Sequence, residues 1–96
     1  MNLTVADAPG RMRYEIRADG QLAGFAAYRR SGDNVTFTHT EVDAAYEGRG
    51  VGGALARGAL DDVRRAGGTV TPMCPFIRGW VDKHPDYLGL VRPGGA

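Results

Sequence analysis

Within the six positions from Gly48 to Gly53 this chain of 96 residues places four glycines, Gly48, Gly50, Gly52 and Gly53. They follow a β-branched and aromatic run, Val35 to Val42, and stand at the start of a helix-like run near Val51. Glycines at that junction demand a tight strand-to-helix turn. They also let backbone N–H groups come close to an anion, and the helix behind adds the positive end of its dipole. Phosphate is the natural guest of such a turn. A P-loop would need Lys and then Ser or Thr after the last glycine, to reach the outer phosphates and magnesium. Ala54-Leu55 stand there instead, which excludes it. Gly48, Gly50 and Gly53 satisfy the dinucleotide spacing G-x-G-x-x-G, but that fingerprint needs a carboxylate about 20 positions on for the ribose. The chain reads Gly68-Thr69-Val70-Thr71 at that distance, so the motif lacks its confirming residue.

The hydrophobic pattern on either side sets the order of elements. Met1 to Gly10 is polar, contains Pro9-Gly10, and reads as a loose lead-in. Arg11 to Arg17 alternates, with Met12, Tyr14 and Ile16 on one face of a half-buried strand. Asp19-Gly20 is a hairpin turn signal, and Gln21 to Arg30 is the returning strand. After the turn Ser31-Gly32-Asp33-Asn34, Val35 to Val42 forms a third strand and completes an antiparallel meander. The glycine turn then leads into a helix from about Val51 to Ala66, whose buried stripe is Leu55, Ala56, Ala59, Leu60 and Val63. On its other face Arg57, Asp61 and Arg65, four apart, predict a solvated row of ion pairs. Gly58 inside this helix costs about 1 kcal/mol relative to Ala, and close packing is the expected reason. Gly67-Gly68 stops the helix. Thr69 to Met73 is a fourth strand, expected parallel to the third because a helix crosses between them. A short helix from about Phe76 to His84 ends at Pro85. The fold class is therefore α/β (α+β), a single domain over 1–96.

Composition removes several function classes. A net charge of +1 gives no basic patch of the kind nucleic acid needs, so no nucleic-acid partner is expected. A single Cys excludes an internal disulfide, and with only two histidines no metal site is expected. No run approaches the roughly 18 apolar residues of a membrane span. The N-terminus also lacks a basic-then-apolar leader pattern. A cytoplasmic protein without a membrane partner is the expectation.

Glu47-Gly48-Arg49-Gly50-Val51-Gly52 resembles the pyrophosphate loop of the GNAT superfamily, the acetyl-CoA-dependent N-acyltransferases. That loop reads Gln/Arg-x-x-Gly-x-Gly/Ala between an antiparallel strand and a long helix. Every position but the first matches; Glu47 replaces Gln or Arg. Thr38-His39-Thr40-Glu41-Val42, Cys74-Pro75-Phe76 and the stretch from Trp80 to Tyr87 extend the resemblance. Together they are similar to a small, single-domain subgroup that includes bacterial proteins of about this length and the vertebrate N-acetyltransferase domain-containing protein 1. The resemblance runs from roughly Arg13 to Val91. It implies a minimal GNAT-like fold that keeps the cofactor half and lacks most of what larger members use to enclose an acceptor. It further implies acetyl-CoA (coenzyme A) as acyl donor, an amine acceptor, and a monomer or weak homodimer. The competing implication is a CoA-binding or sensing module without catalysis.

The resemblance also assigns residues. The cofactor-binding set is Thr40, Val42, Glu47, Gly48, Arg49, Gly50, Val51, Gly52 and Gly53. The N–H groups of the loop would hold the pyrophosphate, Arg49 would screen its charge, and Glu47 would contribute backbone alone. Thr40-Glu41-Val42 would pair with the pantetheine arm through main chain, with one N–H at Val42 polarising the thioester carbonyl. Glu41 is a candidate general base, and His39 shares its strand face. Cys74, at the end of the fourth strand and expected across the cleft from Glu41, is a candidate catalytic residue. It would serve as proton donor to the leaving thiolate or as a nucleophile; an inert buried thiol is the alternative. His84 and Tyr87 read better as packing residues.

Overall fold

The computed structural model describes residues 1–92. Its centre is a five-stranded sheet with strands in sequence order. The strands are β1 (Leu3–Ala8), β2 (Arg13–Ala18), β3 (Gln21–Ser31), β4 (Asn34–Val42) and β5 (Thr69–Pro72). β1 to β4 form an antiparallel meander, and β5 runs parallel to β4. The helix α1 (Val51–Arg65) makes that crossover, and α2 (Pro75–Asp82) follows β5. A 3-10 turn, Pro85–Leu90, comes next, and Val91 then bridges Val70 on the free side of β5.

The segment expected to be a loose lead-in is β1. It pairs residue by residue with β2, from Leu3 opposite Ala18 to Ala8 opposite Arg13. Pro9-Gly10, read as a sign of looseness, is instead the turn of this added hairpin, a 3-10 turn closed by Met12 at φ 52°. Met12 accordingly leaves the strand and stands exposed rather than sharing the face of Tyr14 and Ile16. The next hairpin follows its signal: Asp19 and Gly20, at φ 51° and 87°, have the two positive angles of a type I′ turn.

One face of the sheet carries the core. Tyr14, Ile16, Ala26, Tyr28, Val35, Phe37 and Val70 are buried there against Leu55, Ala56, Ala59, Leu60 and Val63 of α1. Gly58 is explained by β1. A Cβ on it would lie 2.7 Å from the Cβ of Val5, so the helix rests directly on that strand. The expected ion-pair row on α1 does not form. Arg57 and Asp61 are both engaged by the Tyr87 hydroxyl, at 3.2 and 2.7 Å, and Arg65 pairs with Asp62 instead. The opposite face of the sheet bears Arg13, Glu15, Phe25, His39 and Glu41, and no described element covers it.

Candidate functional site

β4 and β5 are joined at one end and part at the other. At the joined end the Asn34 amide donates to Thr71 Oγ1 at 3.1 Å, and its carbonyl accepts from Thr69 Oγ1 at 2.9 Å. Pairing lasts only to Phe37 opposite Pro72. There the Phe37 carbonyl accepts from both the Met73 and Cys74 N–H groups, at 3.1 and 2.9 Å, which ends the ladder. Beyond it β4 continues beside β3 as far as Val42, while the other chain turns into α2.

The parting coincides with a bulge. Tyr28 opposes Phe37 and Ala27 opposes His39, so Thr38 has no partner. One extra residue reverses the side-chain alternation. Before the bulge Val35 and Phe37 point toward α1; after it Thr40 and Val42 do, and His39 and Glu41 point to the open face. The Asp43 N–H donates to Ala23 across β3 at 2.8 Å. By the alternation of an antiparallel ladder, the N–H and C=O of Val42 are then turned to the gap. Gly24 makes this possible. A Cβ at Gly24 would lie 2.6 Å from the Glu41 carbonyl oxygen and 3.2 Å from Val42 Cα. Reading the sequence missed Gly24, although a lone glycine inside a strand pattern is the signal for such close approach.

From Val42 the chain reaches the glycines through a short 3-10 turn, Ala44–Tyr46, capped by the Asp43 carboxylate, which accepts from the Ala45 N–H at 2.9 Å. Gly48 and Gly50 take φ 77° and 76°, angles that glycine alone adopts at little cost. Gly50 caps α1. The Ala54 N–H makes the helix's first backbone bond, to the Gly50 carbonyl at 3.1 Å. The N–H groups of Val51, Gly52 and Gly53 are therefore the orphan donors of this helix end. Gly52 is required by a neighbour instead: a Cβ on it would meet the Phe76 ring at 2.7 Å.

These elements enclose a cavity of about 310 Å³. Thr40 and Val42 line one wall, Tyr46, Glu47 and the residues Gly48, Gly50, Val51 and Gly52 the other, and Phe76 closes the side. Arg49 lies outside the lining, and Gly53 faces the Trp80 indole, whose Nε1 would stand 3.6 Å from a Cβ there. Cys74 is buried one layer behind the wall, its Sγ donating to Thr40 Oγ1 at 3.2 Å. Glu41 is on the other side of β4, hydrogen-bonded to His39 Nε2 at 2.9 Å. Cys74 and Glu41, expected to face one another, are thus separated by the thickness of the strand. His84 stacks on Trp80 at 3.8 Å and Tyr87 is buried, both as packing residues. Among the described residues no His, Cys, Asp and Glu cluster fits a metal ion.

Chemically, the cavity pairs an anion-binding helix end with a strand edge offering a backbone donor and acceptor. A ligand with a phosphate group and an amide-bearing arm fits both. Residues 13–90 match the family model described as GCN5-related N-acetyl-transferase. Over 63 residues the chain is 40% identical to streptothricin acetyltransferase of Streptomyces lavendulae, a stretch covering 64% of this chain and 33% of that protein. The chain thus spans about a third of the length of that curated relative. The fold is similar to the solution structure of a GCN5-like protein from Staphylococcus aureus, with a TM-score of 0.71 at 19% identity. That similarity covers 95% of this chain and 89% of the other.

Proposed function

The chain belongs to the GCN5-related N-acetyltransferase family, and on that premise we propose that it moves an acetyl group from acetyl-CoA to an amine. The observation that carries the proposal is the glycine-paved start of α1 opening on the same cavity as the outward-turned edge of β4. In this reading the N–H groups of residues 48 to 53 hold the donor's pyrophosphate. The edge at Thr40 and Val42 takes the pantetheine arm, and Glu47 contributes main chain while its carboxylate stays in solvent.

Transfer needs a polarised thioester, a neutral amine and a proton for the departing sulfur. The Val42 N–H supplies the first, a contact of the oxyanion-hole kind worth about 3 kcal/mol. Glu41, with His39 beside it, takes the proton that the attacking amine gives up as the C–N bond forms; the amine then approaches from the open face of the sheet. As the C–S bond breaks, the Thr40 hydroxyl delivers a proton to the thiolate and draws on the Cys74 thiol that donates to it. That hydrogen bond and the burial of Cys74 favour direct transfer over an acyl-cysteine intermediate. The motifs at Thr38–Val42, Cys74–Phe76 and Trp80–Tyr87 support membership of the small single-domain subgroup.

Calorimetric titration with acetyl-CoA tests the donor. Gly50→Val, which forces a β-branched residue to a positive φ, is expected to abolish binding; undiminished affinity would sink the assignment. A second reading, a CoA-binding module without catalysis, is favoured by the open face around Glu41. Acceptor-dependent release of free CoA separates the two.

A further inference from the structure

The two edges of the sheet end differently. At β5 the chain returns: Val91 bridges Val70, and the Arg92 N–H donates to the Val70 carbonyl at 2.9 Å. At β1 nothing among the described residues pairs with the outer side. Which groups stand there follows from one bond. The Asp19 N–H donates to the Asn2 carbonyl at 2.8 Å, so Asn2 turns its backbone toward β2. An antiparallel ladder alternates, and Thr4, Ala6 and Ala8 therefore turn inward as well. Leu3, Val5 and Asp7 present both N–H and C=O to the free side.

An open row of donors and acceptors is a template for another strand, and sheet proteins blunt it with lysine, proline, a bulge or a cover. β1, reading Leu3-Thr4-Val5-Ala6-Asp7-Ala8, holds no Lys and no Pro. Its register with β2 is unbroken, whereas the pairings of β2 with β3 and of β3 with β4 both shift. The one charge of the strand is engaged on the core side, where Asp7 accepts from the Tyr28 hydroxyl at 2.6 Å and pairs with Arg30 at 3.5 Å. Thr4 and Ala6 are small and exposed, and Leu3 and Val5 remain half-buried at the rim of the core.

We propose that this edge pairs antiparallel with β1 of a second copy of the chain, about a two-fold axis at Val5. Val5 then lies opposite the partner's Val5, and Leu3 opposite the partner's Asp7. Every outward residue meets an outward residue, and each pair exchanges both of its bonds. A slip of one residue sets outward groups against inward ones, and a slip of two leaves an end pair unmet. The strand is thus complementary to itself, as a closed two-fold contact requires. The partner also completes the burial of Leu3 and Val5. The cavity at the glycine turn opens at β4, away from this edge, and the pairing leaves it untouched.

Sedimentation equilibrium of the wild-type chain should show monomer and dimer exchanging, with a dissociation constant on the order of 10 μM for so small an interface. In this register Thr4 faces the partner's Ala6 on the exposed side. Thr4→Lys combined with Ala6→Lys sets like charges across the axis and should leave a monomer, as should Thr4→Glu combined with Ala6→Glu. Mixed in equal amounts, the two double variants should associate with each other, which also shows that both are folded. Hydrogen exchange reads the backbone directly. The amides of Leu3, Val5 and Asp7 should be protected only at concentrations where the dimer forms, and those of Thr4 and Ala6, held by β2, at any concentration. A wild type that stays monomeric would overturn the proposal, as would assembly beyond a dimer. So would a dimer that persists in either charged variant, or charged variants that do not associate when mixed.

Discussion

Tyr14 and Tyr28 carry hydroxyls into the core, and each finds a carboxylate. Tyr14 donates to Asp62 of α1 at 2.7 Å, and Tyr28 to Asp7 of β1 at 2.6 Å. Burial first, then the hydrogen bond to the carboxylate, pushes both phenols above their ordinary range. A raised value means that the folded state holds the proton more tightly than the unfolded chain. The stability this provides is complete below the unfolded phenol's value of about 10 and is lost as pH rises beyond it. Tyr14→Phe should therefore cost about 1–2 kcal/mol at neutral pH, by leaving Asp62 short of a donor. It should also make denaturant stability fall less steeply above pH 10; an unchanged alkaline slope would refute the argument. Cys74 offers a test at the same scale. Its contact with Thr40 predicts slow modification by a thiol reagent in the free protein and slower modification with CoA bound. Cys74→Ser keeps a donor to Thr40, so CoA affinity should persist while turnover falls roughly 10- to 100-fold, as for a modest general acid. Near-complete loss, with an acetyl adduct on Cys74 by mass spectrometry, would favour the acyl-enzyme route instead.

Among the elements, those with a strong period and clear punctuation are legible in the sequence. α1 begins at the glycine turn and ends at Gly67-Gly68 as its pattern predicts, and β5 is parallel to β4 because a helix joins them. β1 was not legible, since its apolar residues, Leu3 and Val5, are few and Pro9-Gly10 reads as a break. Its place is recorded elsewhere in the chain, in a glycine that no local rule explains. Gly58 is unfavourable in α1 by about 1 kcal/mol, and Val5 occupies the space its missing Cβ leaves. The bulge at Thr38 was equally hidden, because Val35 to Val42 is β-branched or aromatic at nearly every position and shows no change of period. That bulge separates Glu41 from Cys74, which a regular strand pattern could not foretell. Gly58→Ala should lower stability by about 1 kcal/mol, overpacking of about 1–3 kcal/mol outweighing the gain in helix propensity. In a Val5→Ala background two of the three close atoms are gone, so the same substitution should cost less. A double-mutant cycle by urea denaturation measures that coupling, and strict additivity would show that β1 does not rest on Gly58.

At the scale of the whole molecule, the core lies on one side of the sheet and the candidate site sits at its weakest seam. β4 and β5 separate after four paired positions, and the start of α1, Phe76 of α2 and the end of β4 meet around the gap. A ligand held by the loop, the strand edge and α2 at once would tie those elements together in the folded state alone. Linkage then sets the size of the effect: at 100 times its dissociation constant it adds about 2.7 kcal/mol of stability. For a chain of this length that corresponds to a rise in Tm of roughly 10–20 °C. Excess CoA or acetyl-CoA should produce such a rise in a thermal melt, and excess NAD or ATP should not. The glycine spacing alone does not separate these ligands, because Gly48, Gly50 and Gly53 also fit the dinucleotide pattern. What separates them is the absence of a carboxylate for the ribose near residue 70 and the presence of a strand edge for an amide-bearing arm. A larger shift with NAD than with CoA would reverse that choice and remove the acyl-donor assignment.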